Sequence, residues 1–262
     1  MCYSRLRKGP ALPAVGVTRR AVLLNYSRVA YEPAWALQRA FREERFADRR
    51  PDTLILLEHE PVFTIGRTGL ERHWGGDETL QRRSGCPVLH VERGGSVTYH
   101  GPGQLVGYPI LRLGRFCAGP KAYMRMLGEV LIRTLAVWGI SARWGEPSIG
   151  VWVGRDRPAK IAAMGVRVER GVTMHGFALN VNVDLRPFDL IVPCGLDGAG
   201  VTSMARVLGH EVELATVRAR LAASFAEVFG LEWTADNQVS RRVLEDSDAL
   251  QRGTALAAQH IS

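Results

Sequence analysis

Between positions 93 and 104 the chain reads Arg93-Gly94-Gly95-Ser96-Val97-Thr98-Tyr99-His100-Gly101-Pro102-Gly103-Gln104, with four glycines and a proline among polar and aromatic residues. Glycine opens positive φ and lets another group come close to the backbone. Proline fixes φ and gives up a donor. Simple chain reversal needs far fewer special positions than this. The segment also sits between two apolar runs, Pro87 to Val91 and Leu105 to Leu111, that read as strands. The fold must therefore carry a long, irregular connection between strands, and that connection is predicted to line a substrate.

The segment does not read as a phosphate cradle. Gly101-Pro102-Gly103 is followed by Gln104 rather than by Lys and Ser or Thr, and no long helix opens after it. Arg93 is a candidate to hold an anionic or carbonyl group.

Periodicity gives an α+β reading. Ala21 to Tyr26, Thr53 to Glu58 and Val62 to Ile65 read as strands, and Glu32 to Ala47 as a helix with Pro33 near its start. Ala122 to Trp138 is the clearest helix, with Met124, Leu127, Leu131 and Leu135 on one face and Gly139 at its end. Ser141 to Trp144, Gly150 to Val153, Lys160 to Val168 and Thr173 to Val183 read as strands of a second sheet face or as hairpins, and Thr216 to Phe229 as a last helix. Strands cluster between a few helices rather than alternating with them. Residues 1–18 are expected to be a flexible N-terminal extension, 19–235 one catalytic domain, and 236–262 a polar tail.

Composition narrows the partners. The formal charge is +8. The arginines are scattered and no basic tract runs to five residues, which argues against nucleic acid and for an acidic protein partner. No run approaches the roughly 20 apolar residues of a membrane helix. Cys2, Cys86, Cys117 and Cys194 form no CxxC, so free thiols in a reducing compartment are expected. The basic N-terminus loosely suggests a transit peptide, but Gly9, Pro10, Pro13 and Gly16 would break an amphipathic helix; a cytoplasmic protein is expected. The histidines show no ligand spacing, so no metal is expected.

Three residue types suggest chemistry. Cys194 lies in Leu190-Ile191-Val192-Pro193-Cys194-Gly195-Leu196, an apolar run delivering a thiol to a Pro/Gly turn. It reads as a nucleophile if a base is near, or as an inert buried cysteine. Only three of the 34 basic residues are lysines. One of them, Lys160, sits among small apolar residues and reads as a desolvated amine or as a solvated strand lysine. His100 and His175 each precede a glycine and could orient a substrate or be structural.

Four motifs then fall in one order: Arg93-Gly94-Gly95 with Thr98 to Gln104 and Tyr108-Pro109; Lys160-Ile161-Ala162 with Gly165; His175-Gly176-Phe177-Ala178-Leu179-Asn180; and Pro193-Cys194-Gly195. His59-x-Pro61-Val62-Phe63-Thr64-x-Gly66 and Gly150-Val151-Trp152-Val153 flank them. This order resembles the lipoyl(octanoyl) transferases from about residue 25 to 230. The resemblance implies a biotin/lipoate protein ligase-like fold, a large mixed β-sheet and a smaller sheet flanked by helices. It implies a Cys194 acyl-thioester with Lys160 lowering the thiol's pKa. It also implies substrate contacts from Arg93, Gly94, Gly95, Ser96, Val97, Thr98, Tyr99 and His100, from Ala163, Met164 and Gly165, and from Gly176, Phe177 and Ala178. The implied donor is octanoyl-acyl carrier protein. The implied acceptors are lipoyl domains of 2-oxoacid dehydrogenases and the glycine cleavage H protein. No cofactor and a monomer are expected. An ATP-dependent lipoate or biotin ligase of the same fold, or a non-catalytic carrier-binding module, are the competing readings.

Overall fold

Strand β2 (Thr53–His59) shows how the molecule is layered. Its residues are buried on both faces, as in a sheet covered on two sides. Leu54 and Leu56 enter one core, while Ile55 and Leu57 enter another. The two-residue period of the strand thus feeds two separate layers.

In the computed structural model, which describes residues 19–145, 148–192 and 200–234, nine strands form one mixed sheet. The remaining members are β1 (Arg19–Val29), β6 (Gln104–Ile110), β7 (Ala142–Trp144), β8 (Val151–Val153), β9 (Ala159–Glu169), β10 (Val172–Asn180), β11 (Gly200–Val201) and β12 (Leu231–Trp233). Their order is β12-β1-β2-β6-β10-β9-β8-β7, with β11 beside β9. A second sheet holds β4 (Val88–His90), β3 (Val62–Ile65) and β5 (Val97–His100), with β3 in the middle. The α+β class is as the residue pattern predicted, and the pairing of a large mixed sheet with a small one is as the family resemblance implied.

Helices cover both faces. α1 (Tyr31–Phe46) buries Ala34, Leu37 and Phe41 on one face of the large sheet. α3 (Pro120–Ala136) and α5 (Leu214–Phe229) bury the other. Proline at the first position of α3 costs nothing, because that N–H has no intrahelical partner. No helix of the described residues is long and apolar enough to cross a membrane.

Several sequence expectations need correction. Of the two readings for the segments between Ser141 and Val183, the hairpins hold and the second sheet face does not: β7 to β10 join the large sheet as consecutive antiparallel strands. The β9–β10 turn places Arg170 and Gly171 both at positive φ (48° and 76°), the two-residue form that suits strand twist. The small sheet is built instead from the glycine-rich stretch, where Val97–His100 pairs antiparallel with Val62–Ile65. α2 (Asp77–Ser84) carries a single apolar residue, Leu80, and α4 (Met204–Leu208) is too short to show a period. The expected extension 1–18, the tail 236–262, and Cys2 and Cys194 lie outside the described residues.

Candidate active site

β9 and β10 of the large sheet, β5 of the small sheet and the start of α1 enclose a cleft of about 730 Å³, including its open mouth. The structure brings Arg93, Gly95, Ser96, Val97, Thr98, His100, Lys160, Ala163, Met164, Gly165, Gly176, Phe177 and Ala178 to its walls. Gly94 and Tyr99 do not line it. The Gly94 N–H donates to Val166 O at 3.1 Å, and the Tyr99 ring packs on Phe63 and Phe188.

Lys160 stands at one end, only 5% exposed. Its Nζ donates to Ser148 Oγ at 3.1 Å and lies 4.8 Å from the centre of the Trp152 ring. Trp152 Nε1 in turn donates to Ser148 O at 2.8 Å. The lysine stem passes over Gly150, where an added Cβ would stand 3.0 Å from Lys160 Cε and from Ala162 O. The Ser148–Trp152 stretch thus aims the amine. Neither Ser148 nor Trp152 was marked as a site residue in the sequence, because their role depends on β8 pairing with β9.

A buried hydrogen-bonded chain ties Lys160 to the glycine-rich segment. Val201 pairs with Lys160, and Thr202 N–H donates to Lys160 O at 3.0 Å. Asn180 Nδ2 donates to Thr202 O, and Gln104 Nε2 to Asn180 Oδ1, each at 2.9 Å. The Gln104 amide nitrogen is thereby a donor, so its Oε1 accepts from His100 Nδ1 at 2.7 Å. Burial, then the neighbouring His59 and Arg93, push His100 well below the usual imidazole pKa, so it is neutral. Gln104 and Asn180 stood in the quoted motifs, but only the folded chain shows that they face each other.

His59 follows the same logic. Its Nδ1 donates to Val29 O at 2.8 Å, so Nε2 accepts from Tyr108 Oη at 2.6 Å. Burial lowers its pKa to about 4. Burial likewise raises Tyr31, which stacks on His100, to about 12. Among the described residues no group of three His, Cys, Asp or Glu side chains could hold a metal ion.

Arg93 is held rather than offered. Its Nε and Nη2 reach Thr64 Oγ1 at 3.2 and 2.9 Å, Nη2 reaches Thr64 O at 2.6 Å, and Nη1 reaches Gly94 O at 3.0 Å. The guanidinium fastens the 93–95 strap to β3. That strap then crosses β9, where a Cβ at Gly165 would stand 2.6 Å from Gly94 O. A Cβ at Gly103 would stand 2.7 Å from the Asn182 carbonyl carbon. Much of the glycine density therefore serves backbone-to-backbone approach, and only Gly95 of the four glycines lines the cleft.

His175 closes the other end. It is 1% exposed and adopts φ 58°, unusual for a residue with a side chain. Glu92 Oε2 lies 3.6 Å from its Nε2, too far for a direct hydrogen bond. Burial holds His175 below the usual imidazole range, against the pull of Glu92. Burial pushes the Glu92 carboxyl up, but its contacts with His175 and its own backbone N–H outweigh that and leave it lowered.

The chain compares closely with known proteins. Residues 30–226 match the model of the lipoyl protein ligase A/B catalytic domain. An octanoyltransferase of Rubrobacter xylanophilus is 46% identical over 76% of this chain and 89% of its own length. One of Thermobifida fusca is 46% identical over 79% and 87%. An octanoyltransferase of Porphyromonas gingivalis is 43% identical over 78% of this chain, which spans 43% of that longer protein. Among solved structures, a bipartite lipoate protein ligase from Thermoplasma acidophilum superposes with a TM-score of 0.66 at 17% identity, covering 90% of this chain and 91% of that one. A lipoate-protein ligase A bound with ATP gives 0.62 at 17%, covering 90% and 94%; at these identities the likeness is one of fold. The chain belongs to the lipoyl protein ligase A/B catalytic-domain family, and within it to the octanoyltransferases, which are acyltransferases.

Proposed function

We propose that the cleft transfers an octanoyl group from octanoyl-acyl carrier protein to a lysine of a lipoyl domain, through a thioester on Cys194. The carrying observation is the buried amine of Lys160, held by Ser148 and Trp152 in the wall of a largely apolar cleft. β11, which begins five residues beyond Gly195, pairs directly with Ala159 and Lys160. The family resemblance supplies the thiol's role.

Lys160 takes the proton of the Cys194 thiol. The thiolate attacks the carbonyl carbon of the octanoyl thioester, the bond to the carrier's sulfur breaks, and that sulfur leaves with the proton held by Lys160. The acceptor lysine amine then attacks the Cys194 thioester and gives its proton to Lys160. The carbon–sulfur bond breaks and the thiol is regenerated. Thioester to thioester is close to balanced and thioester to amide runs downhill, so an activated donor suffices without ATP. The +8 charge suits an acidic carrier. Acceptors of this chemistry are the lipoyl domains of 2-oxoacid dehydrogenases and the glycine cleavage H protein.

The test is intact mass after incubation with octanoyl-carrier protein and no ATP, for the wild type and Cys194→Ala. An octanoyl adduct on the wild type, lost in the variant, is expected. Acylation that appears only with free octanoate and ATP would make the protein a ligase instead. Binding of carrier protein with no acylation under either condition would make it a non-catalytic module.

A further inference from the structure

We propose that His73 is a positioning residue for the acyl transfer: its ring and its carbonyl oxygen join the glycine-rich wall of the cleft to the chain that leads into Cys194. The proposal rests on the acyl-transfer reading above.

His73 ends a single turn of 3-10 helix, Glu71–His73, and lies in none of the motifs read from the sequence. The chain just before that turn is laid along the 93–96 strap. The N–H groups of Gly66, Arg67 and Thr68 donate to Ser96 O, Arg93 O and Gly95 O at 3.0, 3.0 and 3.2 Å. The two backbones run so close that a Cβ at Gly66 would collide with Gly95 O.

The ring then reaches the cleft wall itself. His73 Nδ1 and Ser96 Oγ are 2.7 Å apart, and Ser96 is 5% exposed and lines the cleft. Leu70 N–H donates to the same nitrogen at 3.3 Å. Nδ1 is therefore an acceptor, and the Ser96 hydroxyl donates its proton to it. Were the ring there only to close its own turn, the Leu70 contact would be the shorter of the two; it is the longer.

The carbonyl of His73 serves a third element. It accepts from Val192 N–H at 2.7 Å. Val192 stands two positions before Cys194, and the one residue between them is Pro193, whose ring fixes φ. Just upstream, Phe188 and Ile191 are buried with Val97 and Tyr99 in the core of the small sheet. One residue thus holds both a wall of the cleft and the lead-in to the thiol. Attack on a bound thioester depends on how the two are placed, and a shift of about 1 Å can cost about 100-fold in rate. Loss of the ring nitrogen also leaves the buried Ser96 hydroxyl without its acceptor.

The test follows octanoylation of Cys194 by intact mass, in single turnover with octanoyl-carrier protein, for the wild type, His73→Phe and His73→Asn. Phenylalanine keeps a ring and loses the acceptor, whereas the asparagine Oδ1 takes the place of Nδ1. In His73→Phe the maximal rate constant is expected to fall at least about tenfold, with the half-saturating donor concentration within about threefold of wild type. In His73→Asn the rate constant should recover to within about threefold of wild type. Ser96→Ala breaks the same bond from the other side, so adding His73→Phe to it should slow the reaction by less than about twofold further. An unchanged rate in His73→Phe overturns the proposal. So does an equal loss in the phenylalanine and asparagine variants, which would follow from disturbed packing alone, or the full tenfold loss on the Ser96→Ala background. If phenylalanine does not fold there, His73→Leu is read in the same way. If the wild type takes no octanoyl group, the acyl-transfer reading fails separately. Hydrogen exchange at the Val192 amide then decides the brace: it should quicken at least about tenfold in His73→Phe and not in His73→Asn, and equal exchange in all three proteins overturns it.

Discussion

The two ends of the cleft are built on opposite terms. At the Lys160 end an amine is given partners: a hydroxyl, an aromatic face and a neighbouring strand. At the His175 end a proline in the opposing strand redirects the backbone N–H to Gln38, and the ring nitrogens have no hydrogen-bond partner among the described residues. The first arrangement fixes where an amine points. The second holds an imidazole neutral and strained against an ionised carboxylate. Position is bought at one end by pairing and at the other by burial, so the two ends should respond to different insults.

Acid should strike the histidine end hardest. His59 titrates at about 4 when folded, against 6.5 unfolded. Between those values the unfolded chain holds more protons, so the stability from burying neutral His59 is complete above pH 6.5 and is lost as the pH falls toward 4. The loss for His59 alone is about 3 kcal/mol, and His100 and His175 act in the same direction. Urea midpoints measured from pH 7.5 to 4 should fall, and the slope should be shallower in His59→Gln. A flat profile would show that these imidazoles are not buried neutral.

The lysine end should answer to chemistry rather than to pH stability. Lys160→Arg keeps the charge and loses the amine, and octanoyl transfer should fall by at least ~100-fold, the scale of a lost general base. Thermal melting should change little. Near-normal turnover in that variant would remove Lys160 as the base. Gly165→Ala tests the strap between the ends. The new methyl would stand 2.6 Å from Gly94 O, and such overpacking costs typically 1–3 kcal/mol, read as a lowered urea midpoint. The smallest effect is expected for Ser148→Ala, which removes one hydrogen bond from the amine. Transfer should drop by about three- to tenfold and recover with Ser148→Thr. A drop that threonine does not rescue would mean that Ser148 acts on packing rather than on aiming.

Much of the site was readable as sequence because its parts lie in short motifs. Gly95 to Thr98, His100, Ala163 to Gly165 and Gly176 to Ala178 reach the cleft together. What stayed hidden depends on pairing across the chain. Tyr31 and Phe188 are single aromatics with no local signal, yet they complete the walls. Arg93 read as a ligand-holding residue. Its guanidinium is engaged by Thr64, 29 positions away in sequence, which no spacing rule would reveal. The glycines read as room for a substrate, and several prove to be room for another strand.

The sequence alone determined the α+β class, the strand and helix periods, and the residue types at the site, because these follow from local propensity and from chemistry carried by single side chains. The tertiary structure decided which glycines face a ligand and which face backbone, which polar groups pair, and that His175 stands strained at one end of a cleft whose other end is Lys160. Those facts depend on register. Pro109 opposes His175 only because β6 and β10 meet where they do, and a shift of one residue would turn every side chain to the other face.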